Sequence, residues 1–227
     1  MRGKLIVIEG LDGSGKATQT EFLSKKFTNN GIKFLPVSFP NYNEPSSVLI
    51  KMYLDSYFGN DPEGVNAFAT SSFYAIDRFA SFNRSWKKQY DQGYVILADR
   101  YTTSNAVYQL PKLMRNRWES YLIWLCDYEY DKLLLPRPDL TIYLDVPPDI
   151  SQKLILSRYE GKSSKRDLHE KNIDFLNSCR KAAYFSGKRL GWKFVNCCDE
   201  NGNLRSKESI SYDVLNEVGN FVKIKNS

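Results

Sequence analysis

Between an apolar run, Leu5 to Ile8, and a stretch of helical period beginning near residue 15 stands Glu9-Gly10-Leu11-Asp12-Gly13-Ser14-Gly15-Lys16-Ala17-Thr18. This is GxxxxGK with a strand expected before it and a helix after it, the context in which the pattern binds phosphate. The glycines allow a tight turn whose N–H groups, with the helix amino terminus, point at phosphate oxygens. Lys16 adds a positive charge that reaches them. A glycine-rich strand-to-helix turn with a solvated lysine is the rival reading, and the flanking pattern favours nucleotide. One position departs: a hydroxyl residue normally follows the lysine to ligate Mg²⁺, and here it is Ala17. Either Mg²⁺ is held by phosphates, water and carboxylates, or Thr18 compensates, or nucleotide is bound without ordinary catalysis.

The rest of the chain alternates in the same way. Leu5 to Ile8, Phe34 to Val37, Tyr94 to Ala98, Leu140 to Leu144 and Trp192 to Val195 are β-branched or aromatic runs bounded by turn residues or charges, and read as five buried strands. Helical period covers about 15–30, 46–57, 64–90, 104–131, 148–158 and 168–187, with a last stretch near 207–223. Strands alternating with helices predict a three-layer α/β fold of the P-loop type: a five-stranded parallel sheet with helices on both faces. No linker or repeat divides residues 1–227, so a single domain is expected, with a short basic segment at about 158–167. Ligands of such sheets bind beyond the carboxyl ends of the strands.

Composition narrows the partners. The chain has 32 lysines and arginines against 26 acidic residues, a net charge of +6, which suits nucleic acid, an acidic membrane or a small phosphorylated substrate. Cys126, Cys179, Cys197 and Cys198 lack the CxxC spacing of zinc or redox sites, so reduced thiols in a cytoplasmic protein are expected. The amino terminus lacks a long apolar run with a cleavage site, and no apolar stretch reaches about 18 residues.

Other strand ends carry further chemistry. Phe39-Pro40-Asn41-Tyr42 follows the second, and Asp99-Arg100-Tyr101 ends the third, leading to Ser104, Asn105 and Tyr108. Arg100 is placed to clamp a phosphate, or simply to pair with Asp99. Asp99 sits where an acidic group can hold Mg²⁺ through water. Tyr74 and Arg78 lie four apart on one helix face: an aromatic plane with a guanidinium beside it suits a heterocyclic base. An amide such as Asn105 can donate and accept, as a pyrimidine edge demands. Taken alone, Tyr74 reads as an ordinary core aromatic. Arg158, Lys162, Lys165 and Arg166 form a cluster among small polar residues, either a solvated charge run or a lid that closes over phosphates and excludes water.

Together these features resemble the thymidylate kinase family of P-loop nucleoside monophosphate kinases. The likeness runs from Leu5 to Lys16 through Phe39-Pro40, Asp99-Arg100-Tyr101 and Pro138 to Val146, and on to Asp167-Leu168-His169-Glu170, Phe175, Arg180 and Tyr184. It implies ATP-dependent phosphorylation of dTMP to dTDP on the route to dTTP. It further implies that residues 10–18 (Gly10, Leu11, Asp12, Gly13, Ser14, Gly15, Lys16, Ala17, Thr18) bind ATP with Arg158 stacking on adenine. Tyr74 would stack on thymine, Arg78 and Asn105 would read its edge, Arg100 would bind the monophosphate, and Phe39 and Tyr42 would line the same site. Asp12 would approach the 3′-hydroxyl and the metal, and Tyr108 would sit where a 2′-hydroxyl would otherwise fit. Asp99 and Glu170 would join Asp12 around Mg²⁺, mostly through water.

Family members carry the catalytic cation either in the P-loop or in the lid. With Gly13 at the P-loop position, the charge falls to Lys162, Lys165 or Arg166. The catalytic set expected is Lys16, Arg100, Arg166 and Asp12. Some members place an arginine where this chain has Tyr42, as another branch does. Homodimerisation is also implied. Nucleic acid and membrane are not needed to explain the charge. The rivals are a kinase for UMP, CMP or another deoxynucleotide, and a P-loop protein that binds nucleotide without turnover.

Overall fold

Five strands form where apolar runs meet turn residues: β1 (Lys4–Gly10), β2 (Phe34–Ser38), β3 (Val95–Asp99), β4 (Leu140–Asp145) and β5 (Lys193–Asn196). They are seen in a computed structural model that describes residues 2–59, 64–158 and 173–222, with Ser157 and Arg158 as backbone only. The strands make one parallel sheet in the order β2-β3-β1-β4-β5. Tyr94 and Trp192, expected at strand starts, are used otherwise. The Tyr94 carbonyl accepts from Lys4 N at 3.2 Å, and Trp192 N donates to Gly187 O at 3.0 Å.

The helices are α1 (Lys16–Asn29), α2 (Val48–Leu54), α3 (Ala67–Ser81), α4 (Lys87–Asp91), α5 (Thr102–Gln109), α6 (Trp118–Cys126), α7 (Pro148–Arg158), α8 (Ile173–Leu190) and α9 (Lys207–Gly219). Two long stretches of helical period are broken. Within 104–131, Pro111 lacks the N–H an α-helix needs, and α5 gives way to a 3₁₀ turn, Leu110–Lys112. Both α3 and α6 widen at their ends into π-helical turns, Phe82–Trp86 and Asp127–Lys132. The basic segment 158–167 lies outside the described residues apart from the end of α7.

Alternation along β1 assigns its neighbours. Ile6 and Ile8 pack with Leu97, Ile142 and Leu144 against Leu23 and Phe27 of α1 and Val214 and Val218 of α9. Leu5 and Val7 pack with Ile96 and Ala98 against Phe82 and Trp86 on the other face. Tyr143 on that face meets α5, α6 and α8. Each fully buried aliphatic side chain contributes roughly 1.5–3 kcal/mol, so β1 is anchored from both sides. The carboxyl ends align across the sheet, with Ile8 opposite Asp99 and Ser38 opposite Asp99. Three loops therefore converge on one rim. All four cysteines are free thiols; burial pushes Cys197 up to about 12. Among the described residues no helix is long and apolar enough to cross a membrane.

Candidate active site

The loop after β1 turns through Gly13 (φ 77°) and Gly15 (φ 89°), both left-handed, and Gly15 caps the start of α1. The turn is closed by Ser14 N donating to Leu11 O at 3.1 Å. Lys16 folds back inside it, donating to the carbonyls of Gly10 and Leu11 at 3.0 and 2.9 Å. Burial and the nearby Arg100 charge lower the Lys16 ammonium from its ordinary value, against the opposing pull of Asp12, Asp99 and Glu9. Gly13 has no room for a side chain: a Cβ there would stand 2.6 Å from the Ser151 carbonyl oxygen and 2.9 Å from Ile155 Cγ1, both on α7. The Ser14 hydroxyl is buried with no partner among the described residues. Leu11, by contrast, is a core residue packed among α5, α6 and α8.

Arg100 adopts φ 67° immediately after β3, its N–H donating to Ile8 O at 3.0 Å. Its guanidinium spans the gap to the β1 loop. Nη1 donates to Glu9 Oε1 and Ser104 Oγ, both at 3.3 Å, while Nη2 donates to Asp12 Oδ1 and, at 3.3 Å, to the Tyr108 hydroxyl. Glu9 is fully buried, and its other oxygen accepts from Thr103 and Ser104 at 2.7 Å each. Tyr108 donates to Asp12 Oδ2 at 3.0 Å. Burial alone would raise the Asp12 carboxyl, but Arg100, Lys16 and the Tyr108 hydrogen bond pull it well below the usual carboxylate range. Arg100 thus has anionic partners on two sides and 14% side-chain exposure, which leaves it open to the cavity beside it.

Two cavities meet at this arginine. One is lined by Gly13, Gly15, Lys16, Ala17, Ser38 and Asp99, the other by Leu54, Tyr74, Arg78, Asn105, Tyr108 and Gln109; Asp12, Phe39, Pro40, Tyr42 and Arg100 border both. Thr18 borders neither and faces a groove between α1 and α9. In the second cavity Tyr74 and Arg78 come from α3, and Asn105, Tyr108 and Gln109 from α5. Arg78 is 1% exposed, with Nε and Nη2 donating to the two oxygens of Glu129 at 2.7 and 2.5 Å. Asn105 Nδ2 donates to Ser71 O at 3.1 Å and to Glu129 Oε1 at 2.9 Å.

Three residues here escaped the sequence reading. Gln109, next to Tyr108, lines the second cavity with an amide oxygen that has no partner among the described residues. Asp77 ties down the loop after β2, accepting from Asn41 N at 2.9 Å and Ser46 Oγ at 2.6 Å. Glu129 had a readable signal. Trp118, Tyr121, Leu122 and Leu125 are the buried stripe of α6, and Glu129, four residues on, continues it. A carboxylate on an apolar stripe requires a buried cation.

For Mg²⁺, the P-loop cavity offers the carboxylates of Asp12 and Asp99 and the Ser38 hydroxyl beside the methyl of Ala17. Among the described residues no cluster of three His, Cys, Asp or Glu forms a metal cage. Such a set fits an ion that keeps several waters and takes its remaining ligands from phosphate. Glu170, Lys162, Lys165 and Arg166 lie outside the described residues, as does the Arg158 side chain. Arg180 and Tyr184 anchor α8 to the end of β4. Arg180 Nε and Nη2 donate to Asp145 at 2.7 Å each, the Tyr184 hydroxyl donates to the same carboxylate, and Phe175 is core.

Comparison with known proteins points to one family. The profile of the thymidylate kinase family matches residues 8–204. The chain is 29% identical over 192 residues to a thymidylate kinase of Mycobacterium tuberculosis, covering 83% of this chain and 87% of that one. It is 31% identical over 158 residues to a probable thymidylate kinase of Pyrococcus horikoshii, covering 70% and 72%. A solved thymidylate kinase structure from Candida albicans superposes with a TM-score of 0.71 at 22% identity, covering 100% of this chain and 96% of that one; at that identity the likeness speaks for the fold. With most of its length matched by the family profile, this chain belongs to the thymidylate kinase family.

Proposed function

We propose that the protein transfers the γ-phosphoryl group of ATP to the phosphate of dTMP, giving dTDP and ADP. The observation that carries this reading is the pair of cavities joined at Asp12 and Arg100, one walled by the phosphate loop and the other by aromatic side chains and two amides. A donor nucleotide in the first and an acceptor nucleotide in the second bring their phosphates together beside one guanidinium.

Each residue then has a defined task. Lys16 leaves the loop carbonyls for the ATP phosphates. Arg100, oriented by Glu9 and Asp12, grips the acceptor phosphate through its fork of N–H groups. That phosphate is already an anion at neutral pH, so the reaction needs positioning and charge neutralisation rather than a strong base. Tyr74 covers the thymine ring, and Arg78 and Asn105 meet its edge. Tyr108, held by Asp12 and Arg100, fills the space beside the sugar. Asp12 and Asp99 are the groups that would hold Mg²⁺ through water, and the ion supplies neutralisation of phosphate charge when bound with ATP.

The crowding at Gly13 supports a catalytic cation from the segment 158–167, with Lys162, Lys165 and Arg166 as its candidates and Arg158 at its start. The exposed apolar face of α3, with Ile76 45% and Phe79 39% accessible, supports a homodimer. Four free thiols suit the cytoplasm. Purified protein with ATP, Mg²⁺ and dTMP should yield dTDP; Lys16→Ala should abolish turnover, and Arg166→Ala should chiefly lower kcat. A fully active Lys16→Ala enzyme overturns the mechanism.

A further inference from the structure

Glu129 touches neither cavity, yet it holds two of the groups that face the base, and we infer that it is the positioning residue that makes the pocket accept thymine and reject cytosine. This rests on the reading of the second cavity as the dTMP site.

Hydrogen-bond capacity decides the matter. A carboxylate has about four acceptor positions, and the structure fills all of them at Glu129. Oε2 accepts from Arg78 Nε and Thr102 Oγ1, each at 2.7 Å; Oε1 accepts from Arg78 Nη2 at 2.5 Å and Asn105 Nδ2 at 2.9 Å. The residue is fully buried on the π-helical turn Asp127–Lys132, so no water shares these bonds.

The consequence for Asn105 is polarity. Its amide has two N–H groups, and both face acceptors, Glu129 Oε1 and the Ser71 carbonyl. Turning the amide over would set its oxygen against both of those oxygens. The amide is thereby fixed with Oδ1 as its remaining group, and no described residue donates to that oxygen. Arg78 is fixed in the same way. Three of its five N–H groups are directed to Glu129 and, at 3.4 Å, to the Tyr101 carbonyl, leaving two N–H groups on a side chain that lines the cavity.

The pocket therefore presents a donor from Arg78 beside an acceptor from Asn105. Thymine offers the complement, a carbonyl at C4 and an N–H at N3. Cytosine offers the inverse, an amino group at C4 and a bare nitrogen at N3, and would set donor against donor and acceptor against acceptor.

Steady-state kinetics with dTMP and 5-methyl-dCMP isolates this edge, because the two share methyl group, sugar and phosphate. The wild-type enzyme should favour dTMP in kcat/KM by roughly 100-fold or more. Glu129→Gln removes the charge and replaces one acceptor oxygen with a donor, which faces Arg78 and either Asn105 or Thr102; the preference should fall by at least about tenfold, chiefly through KM for dTMP, with KM for ATP unchanged. Should that variant fail to fold, Glu129→Asp keeps the charge but withdraws it by one methylene, and the same ratio decides. An unchanged ratio in a folded variant, with both substrates losing activity in parallel, assigns Glu129 a merely structural role and overturns the inference. So does a wild-type enzyme that uses both nucleotides equally. Failure of the wild type to phosphorylate dTMP at all would instead strike the proposed function.

Discussion

The molecule sets two arginines against carboxylates, and the two clusters are built to opposite ends. At Arg78 the pair is sealed: the side chains of Arg78 and Glu129 are 2% and 0% exposed, and every acceptor position of the carboxylate is filled. At Arg100 the cluster is open: the guanidinium is 14% and its partner Asp12 28% exposed, and both border two cavities. The sealed cluster fixes the direction of hydrogen-bonding groups, whereas the open one keeps charge where a phosphate can reach it. A buried pair adds little net stability but is costly to break, so the first cluster should fail by unfolding and the second by losing turnover.

This contrast can be broken in four ways. Truncating the sealed pair has the largest expected effect: Glu129→Ala leaves Arg78 as an uncompensated buried charge and should destabilise the fold by about 3–5 kcal/mol, measured by urea unfolding. Arg100→Ala should leave the fold far less affected, because Glu9 keeps its bonds from Gly10, Thr103 and Ser104. Its kcat/KM for dTMP should drop by about 10²–10³-fold. If stability falls equally in both variants, the distinction between sealed and open clusters is wrong.

Smaller effects test the loop between them. Gly13→Ala demands a left-handed conformation and meets the Ser151 carbonyl; a loss of about 1–3 kcal/mol is expected, together with a raised KM for ATP. Acid should affect the open cluster through Asp12. Its folded pKa lies below the unfolded value of about 3.9, so its contribution is complete above the unfolded value and is lost as pH falls toward the folded one. Between pH 5 and 3 the wild type should therefore lose more stability than Asp12→Asn. The reverse order would show that Asp12 is not stabilised by Arg100 and Lys16.

The same contrast explains what could be read from the sequence. Lys16, Asp99 and Arg100 follow strand ends, and a parallel sheet brings strand ends to one rim whatever the side chains do. The three inner strands β1, β3 and β4 were legible for a related reason: buried on both faces, they are continuous apolar runs, whereas the edge strands β2 and β5 are partly exposed and were marked by β-branched and aromatic residues between turns. Glu129 was legible as a buried carboxylate on an apolar stripe but not as a site residue, because its partner Arg78 is 51 positions away and its own turn is π-helical. Local period shows that a residue is inward, not whom it meets. Helix continuity was overestimated in 104–131, although Pro111 marked the break. The crowding at Gly13 depends on α7 packing over the loop, a tertiary fact that no local pattern contains.

On this reading the two cavities hold ATP and dTMP with their phosphates at Arg100. That arrangement is tested most directly by ³¹P NMR of the purified protein with Mg²⁺ and ATP, offered dTMP, dUMP and dCMP in turn. dTDP should be the fastest product and dUDP slower by roughly 10–200-fold, the usual worth of one methyl in a pocket, with dCDP slowest. Equal rates with dCMP and dTMP, or no diphosphate from any of them, would contradict it.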